Sequence, residues 1–519
     1  MASLTDAAGS AAAGGTLVFV GFMGAGKSTA ARKVAAELGT EALDADREIE
    51  QRLGETIESY FDRAGEAAFR AVEEEVVLDL LARPDGRPVA LGGGALHSEA
   101  VRAALAPHTV VQVETTVDEA WRRASGRGRP LARDRERFEA LFAERTAVYA
   151  AAADAILPTG GGKDVARRAT PALEALHAAR AALGGRPRMV WADATSGSYP
   201  VFFGRGLVAA GFEHPGDGRR LTITDRNVAA ALGLADAIEI EPGETAKNLA
   251  TVERVLGELA RAGAERGDIV VAVGGGVVGD LAGFCAAIYQ RGMRHVQIPT
   301  TLVAQVDSAY GGKTGVDLAE GKNYAGVYHQ PSAVVCDPAL LATLPAAELA
   351  AGYAEVVKTA LIAGGSLWAH VRRGGPVDDE TILGCLRTKL AVVAADERDR
   401  GLRQILNLGH TVAHAIESAT GYARYRHGEA VAIGLLAALR LSGADALRAE
   451  VGELLAAHGL PDAFEGATVE EVVALTERDK KRSGGRVPFV LVEAPGRVTP
   501  GHAVAPEDLR AAVAEVHAG

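Results

Sequence analysis

Residues 16–180 alternate short apolar runs with stretches whose apolar positions recur every three to four residues. TLVFV (16–20), PVALG (88–92) and TVVQV (109–113) predict buried strands; the stretch after residue 27 and the one over 66–82 predict helices. Such alternation is the signature of a parallel sheet covered by helices. A helix near 164–180 gives way to AALGGRPR (181–188), whose Gly and Pro read as a linker. A second series begins at Met189, with MVWAD, RRLTITD, DIVVAVGGG, HVQIPTT and SAVVCDP as strands between helices. From about residue 345 strand patterns fade and Ala/Leu-rich helical spacing dominates, apart from a late apolar run at VPFVLVE (487–493). The expected organisation is a flexible leader (1–15), an α/β domain (16–180), a linker (181–188), a second α/β half (189–344) and a mainly helical half (345–519). No short-period repeat is present.

At 519 residues the chain exceeds one ordinary domain. Its net charge of −12 argues against nucleic acid or an anionic membrane as the main partner, so a phosphate-bearing substrate would need a local cationic pocket. Cys285, Cys336 and Cys385 are odd in number and widely spaced, which suggests reduced thiols and a cytoplasmic protein. The first fifteen residues lack a basic segment and a sustained apolar core, unlike a signal peptide. No run approaches the roughly 18 uncharged apolar residues of a membrane span. Lysine is scarce: of 55 basic residues only ten are lysine. Lys33 and Lys163 look incidental; the other eight lie in or beside Gly-rich or carboxylate/histidine motifs. An ammonium is a compact, rotatable point charge, suited to phosphate and proton transfer where a planar guanidinium is not. That placement points to two anion-handling sites.

GFMGAGKST (21–29) fits G-x-x-x-x-G-K-[ST] between a strand and a helix. Gly24 and Gly26 let backbone N–H groups cradle phosphates. Lys27 reaches the terminal phosphates, and Ser28, followed by Thr29, offers a hydroxyl to Mg²⁺. Asp44 and Asp46, two apart at a strand end, would share one face, one for metal and one for a substrate hydroxyl; a helix-capping pair is the plainer alternative. Arg70 and Glu73 fall on one helix face, as a ligand-binding set or a surface ion pair. Gly92, Gly93 and Gly94 end a strand, GRGRP (126–130) follows, and Arg145 comes later in ERTAVY.

In that order these motifs resemble shikimate kinase over about residues 14–180. The resemblance implies a P-loop fold of the nucleoside-monophosphate-kinase type that phosphorylates shikimate from MgATP. Lys27, Ser28 and Asp44 would serve phosphate and Mg²⁺. Asp46, Arg70, Gly92, Gly93, Gly94 and Arg145 would hold shikimate, and Arg129 in the RPL lid would close over ATP. ERTAVY departs from the family, which usually has proline there. A gluconate-kinase-like enzyme is the alternative.

In the second series Gly274, Gly276 and Gly279 have G-x-G-x-x-G spacing, but Gln297 and Thr300 stand where the acidic ribose partner belongs. Further on, His410 and His414 lie four apart, His427 follows in HGEAVAIG, and AGYAEVVK supplies Glu355 and Lys358. These donors suggest a catalytic metal with an open position. Spacing alone would pair His410 with His414.

With QIPTTLVAQVDSAYGGKTGVD, GKN and DERDRGLRQILN, these residues resemble 3-dehydroquinate synthase from about 189 to the end. The resemblance implies a Rossmann-like NAD-binding half and a helical metal-binding half. It assigns Zn²⁺ or Co²⁺ to Glu355, His410 and His427, leaving His414 for substrate and proton handling. NAD⁺ would contact Asp225, Asn227, Glu244, Lys247, Gly275, Gly276, Asp280, Thr300, Thr301 and Thr343. The substrate pocket would use Arg291, Asp307, Lys313, Lys322, Asn323, Lys358, Lys389, Arg403, Asn407, His414 and one of Lys480 and Lys481. Asp399 stands where many relatives have Glu. The implied reaction converts the keto-sugar phosphate DAHP to 3-dehydroquinate and phosphate, by transient oxidation, elimination, hydride return and an intramolecular aldol. Polyol dehydrogenases need no cationic pocket, and other sugar-phosphate cyclases commonly change the positions of Lys389, Asn407 or His414. The expectation is a bifunctional enzyme of aromatic amino-acid biosynthesis, with a homodimer through the second module; a non-catalytic scaffold in one module is the competing idea.

Overall fold

The computed structural model describes residues 15–125, 134–158, 164–183, 185–212, 215–480 and 488–518. The expected leader, the GRGRP loop with Arg129, and Lys481 lie outside these residues, as does the side chain of Lys480. The chain forms two compact units, Met1–Asp193 with Ser198–Gly216, and Ala194–Gly197 with Asp217–Gly519.

In the first unit a parallel sheet runs Leu43–Asp44, Val89–Ala90, Leu17–Val20, Thr109–Val113, Ala155–Leu157, Arg188–Ala194. Val18 lies opposite Val89 on one side and Val110 on the other. Both faces of Leu17–Val20 are buried, which explains its unbroken apolar sequence. Helices Lys27–Glu37, Glu66–Leu81 and Val165–Leu183 supply further buried apolar faces. Met189 pairs with Ala155, so the strand after the expected linker joins this unit, although its sequence pattern opens the second series.

The second unit has a parallel sheet ordered Ala333–Cys336, Arg294–Pro299, Ile269–Gly274, Arg220–Asp225, Ile238–Ile240. Helices Leu249–Arg261 and Gly276–Ile288 pack Val255, Leu259 and Leu281 against its Val270 and Ala272. The expected helical half follows, and its late apolar run forms the hairpin Phe489–Ala494/Arg497–His502. Helix His427–Leu441 is buried almost throughout, as its nearly all-apolar sequence requires. Its glycines let it touch neighbours closely: a Cβ on Gly428 would sit 1.8 Å from the Ala351 carbonyl, and one on Gly434 2.1 Å from that of Gly409. This close seating brings His427 beside Glu355 on Ala346–Ala363 and His410 on His410–Ala419. Among the described residues, no helix is long and apolar enough to cross a membrane.

Candidate active sites

In the first unit the phosphate loop turns through Gly21, Gly24 and Gly26, at φ 143°, 80° and 97°, values that disfavour any side chain. Helix Lys27–Glu37 starts at Gly26 without a side-chain cap, leaving its first N–H groups for an anion. The Lys27 ammonium lies back over the loop, donating to the Phe22 carbonyl at 3.3 Å. Ser28 is half-buried and Thr29 exposed.

The expectation that Asp44 and Asp46 share a strand face is corrected. The strand ends at Asp44, which caps helix Ala45–Leu53 by accepting from the Asp46 amide at 3.2 Å, so Asp46 opens the helix. Asp46 still faces the glycine turn: a Cβ on Gly92 would lie 3.1 Å from its Oδ1 and 2.5 Å from Glu73 Oε1. Arg70 donates to Glu73 at 2.5 Å, and Glu73 is buried, so this is no surface pair. Burial raises the Glu73 carboxyl above its ordinary value, against the pull of Arg70. The Gly93 carbonyl accepts from Arg145 Nη1 at 2.9 Å and from the Tyr149 hydroxyl. Burial pushes that phenol up to about 12, keeping it a donor. Among the described residues, Arg145 Nε is buried without a hydrogen-bond partner. A buried guanidinium N–H costs about 1–3 kcal/mol when unsatisfied, so it suits an incoming acceptor. Acid, guanidinium and glycine turn thus gather beyond the phosphate loop, as a hydroxylated carboxylate would require.

In the second unit a cavity of about 1450 Å³ opens over the sheet's C-terminal edge. All the expected NAD⁺ contacts line it: Asp225, Asn227, Glu244, Lys247, Gly275, Gly276, Asp280, Thr300, Thr301 and Thr343. Asp225 also caps helix Arg226–Leu232. Lys247 is buried and pairs with Asp280 at 2.7 Å. Burial lowers the Lys247 ammonium, but Asp280 and Glu244 outweigh it and hold it above its ordinary value. Gln297, standing where a ribose acid was expected, instead donates to the Gly279 carbonyl at 3.1 Å and tethers the turn.

Deeper in the cavity, Glu355 Oε1 lies 3.5 Å from His410 Nε2 and 3.4 Å from His427 Nε2. His410 Nδ1 is 3.1 Å from the Leu408 carbonyl, which fixes the proton there and leaves Nε2 as a lone-pair donor. Burial and Lys358 hold the His410 imidazole down to about 3. Burial opposes charge on His427 too, but Glu355 and Glu417 carry it to about 9. Among the described residues, both oxygens of Glu355 are buried without a well-directed hydrogen bond, although Lys358 pairs with it at 2.5 Å. Two imidazoles and an under-satisfied carboxylate, mutually within 4.8 Å, fit a divalent metal. The spacing-based pair His410/His414 is corrected: His414 is exposed and outside this triad, one turn along the same helix.

Beside the triad a π-helical turn, Ala304–Ser308, carries Asp307. Lys358 reaches it at 3.0 Å, and Lys389 also pairs with it. Burial would raise Asp307, yet the two ammoniums hold it well below the carboxylate range. Lys389 itself is lowered by burial. Lys313 pairs at 2.5 Å with Asp399, which answers what that residue does in the free protein. Arg403 is fully buried and donates to the carbonyls of Glu397 (2.5 Å) and Gly311 (3.2 Å). Asn323, Lys322, Asn407 and His414 line the cavity. Arg291 does not. It ends the turn Tyr289–Arg291 beyond helix Gly276–Ile288, whose opposite end meets the cavity, about 20 Å away at 1.5 Å per residue.

Two participants escaped the sequence reading, Tyr149 and Glu417. Glu417 is buried, and its Oε1 accepts from Lys322 at 3.1 Å and lies 3.4 Å from His427 Nδ1. Its position seven residues after His410 and three after His414, on their helix face, was the available signal.

Residues 23–174 match the family model for shikimate kinase, 237–351 that for the 3-dehydroquinate synthase N-terminal region, and 352–482 that for its C-terminal region. A 3-dehydroquinate synthase of Halorhodospira halophila is 42% identical over 62% of this chain and 98% of its own length. Among solved structures, a 2-epi-5-epi-valiolone synthase of Streptomyces hygroscopicus subsp. jinggangensis, with NAD⁺ and Zn²⁺ bound, is 27% identical over 62% of this chain and 97% of its own (TM-score 0.57). A 2-deoxy-scyllo-inosose synthase complexed with carbaglucose-6-phosphate, NAD⁺ and Co²⁺ is 25% identical over 63% and 100% (TM-score 0.57). The chain belongs to the 3-dehydroquinate synthase family and carries, ahead of that region, a shikimate kinase segment.

Proposed function

We propose that this protein is bifunctional, phosphorylating shikimate at residues 16–180 and converting DAHP to 3-dehydroquinate and phosphate with the region from 189 onward. The observation that carries the synthase half is the convergence of Glu355, His410 and His427 beside the Lys358–Asp307–Lys389 cluster. When bound, the divalent ion supplies polarisation of hydroxyl and carbonyl oxygens, and NAD⁺ a hydride acceptor that returns it.

The chain's own groups do the rest. Lys247 and Asp280, locked together, position the dinucleotide, with Gly275 and Gly276 allowing its close approach. Lys313, Lys389, Arg403, Asn323 and Asn407 orient the carboxylate and phosphate of the substrate, and His414, exposed on the cavity side of its helix, exchanges protons. In the kinase half, Lys27 and the open helix end hold ATP phosphates, Ser28 and Asp44 hold Mg²⁺, and Asp46 accepts the proton of the attacking hydroxyl. Arg70 and Arg145 grip the shikimate carboxylate. A cytoplasmic homodimer formed through the second unit completes the reading.

The test uses purified protein: ATP-dependent phosphorylation of shikimate, and NAD⁺-dependent, chelator-sensitive phosphate release from DAHP. Absence of both activities in folded, metal-loaded protein rejects the proposal.

A further inference from the structure

The two imidazoles of the metal triad are oriented by different means. His410 is fixed by a backbone carbonyl, whereas among the described residues His427 Nδ1 faces one oxygen at hydrogen-bonding range, Glu417 Oε1. Glu417 sits two turns along the helix that bears His410, so one helix supplies a ligand and the carboxylate behind the next ligand. Lys322, from the hairpin strand Gly321–Tyr328, reaches the same oxygen, and its ammonium also lies 3.5 Å from Glu244 at the dinucleotide end of the cavity. Among the described residues Glu417 Oε2 is buried with no hydrogen bond, and the shared Oε1 makes the carboxylate's contacts to Lys322 and His427.

We propose that Glu417 is a positioning residue that aims His427 Nε2 at the metal and, through the shared oxygen, ties the metal triad to Lys322. The inference rests on the metal reading above. His414, Glu417 and His427 also bring donor atoms within 4.8 Å of one another, which would admit a second ion. The Lys322 ammonium, 3.1 Å from Glu417 Oε1, already supplies positive charge beside that carboxylate.

The test compares wild type with Glu417→Gln for Co²⁺ binding, by competition against a chromogenic chelator, with the visible ligand-field spectrum of the loaded protein. One ion per chain is expected in both, with affinity in E417Q reduced on the order of 10- to 100-fold, as loss of an orienting partner does, and with a shifted spectrum. Lys322→Met is expected to keep the affinity within threefold, because His427 retains its oxygen. Unchanged affinity and spectrum in E417Q overturn the proposal, as does an equal loss in K322M, which would reduce the effect to charge balance. Two ions in wild type with one lost in E417Q overturn it in favour of ligation by Glu417. If E417Q loses its near-UV circular dichroism, Glu417→Asp is read instead, with at least a threefold loss expected and none overturning. Wild type that binds no Co²⁺ sinks the metal reading itself; wild type and E417Q binding equally sink only this step.

Discussion

Gly94→Ala tests the aim of Arg70 in the kinase unit. Gly94 has φ −109° and ψ −10°, which alanine adopts, so backbone strain is not at issue. An added Cβ would lie 2.0 Å from Arg70 Nη1, 2.5 Å from its Cζ and 2.7 Å from Nη2. Non-bonded heavy atoms settle near 3.5 Å, so the guanidinium must retreat by about 1.5 Å. It is the far end of a flexible side chain, and Glu66, already 3.1 Å away, accepts it on the exposed side. Because the displaced Nη1 also leaves buried Glu73, stability should fall by about 1–3 kcal/mol, the cost of a buried group left unsatisfied, and Tm by roughly 2–12 °C. Aim is another matter. A hydrogen bond to a charged partner is worth about 1.5–3 kcal/mol, so KM for shikimate should rise roughly 10- to 100-fold. KM for ATP should stay constant, because the phosphate loop is untouched. Gly93→Ala is the control: its Cβ would meet nothing nearer than 3.4 Å. Steady-state kinetics at varied shikimate, beside thermal unfolding, decide. A shikimate KM within twofold of wild type would remove Arg70 from the substrate site; a large loss of Tm with unchanged KM would make the contact purely structural.

Four further outcomes are expected. His410→Ala should abolish bound metal and phosphate release from DAHP while leaving shikimate phosphorylation intact, read by elemental analysis and two assays on one preparation; retained metal would refute the triad. Because His427 is held near 9 in the metal-free protein, metal must displace a proton below that pH. Apparent affinity should climb about tenfold per unit from pH 7 to 9 and then level, and a flat profile would contradict this. The sign for stability is opposite: the raised folded value stabilises the metal-free fold fully below the ordinary 6.5 and that contribution is lost as pH rises through 9. Asp307→Asn leaves Lys358 and Lys389 facing each other in a buried site, so unfolding free energy in urea should drop by about 3 kcal/mol; a change under about 1 kcal/mol would count against the cluster. Calorimetry should find DAHP binding at least tenfold weaker after metal removal, and equal binding would count against metal-assisted anion recognition.

The strands Leu17–Val20, Thr109–Val113, Ile269–Gly274 and Ala333–Cys336 were legible because each is buried throughout and so reads as a nearly continuous apolar run. The phosphate loop was legible because one contiguous segment carries its whole function. Other features depend on contacts that spacing does not encode. The strand Arg188–Ala194 belongs with the first unit only through its partner at Ala155. Asp44 and Asp46 misled because the strand before them is two residues long, so helix capping, not strand alternation, sets their directions. Helical spacing favoured His410 with His414, yet the partners of His410 come from two other helices, placed by the glycines at 428 and 434; that triad was reached through family resemblance. Arg291, which the same resemblance put in the pocket, lies at the remote end of the helix whose N-terminus lines it. Glu417 looked like any helical acid until folding buried it against His427.

The cavity also revises the idea of a cationic pocket. Among the described residues, seven lysines and arginines line it, but so do eight aspartates and glutamates, so these side chains alone give no excess of positive charge. The divalent ion the triad fits would add positive charge for drawing in a phosphate and a carboxylate. The lysines then have a different task from simple attraction. Lys247 stands between Asp280 and Glu244, Lys322 between Glu417 and Glu244, and Lys358 between Asp307 and Glu355. Each ammonium joins two carboxylates from separate elements. A rotatable point charge with three donors does this in any direction, whereas a planar guanidinium presents its donors in one fixed fork. That geometric demand explains why a chain that uses arginine almost everywhere keeps lysine here. Tying carboxylates together before any ligand arrives fixes the dipoles around the reacting carbons in advance, so less reorganisation remains for the chemical steps.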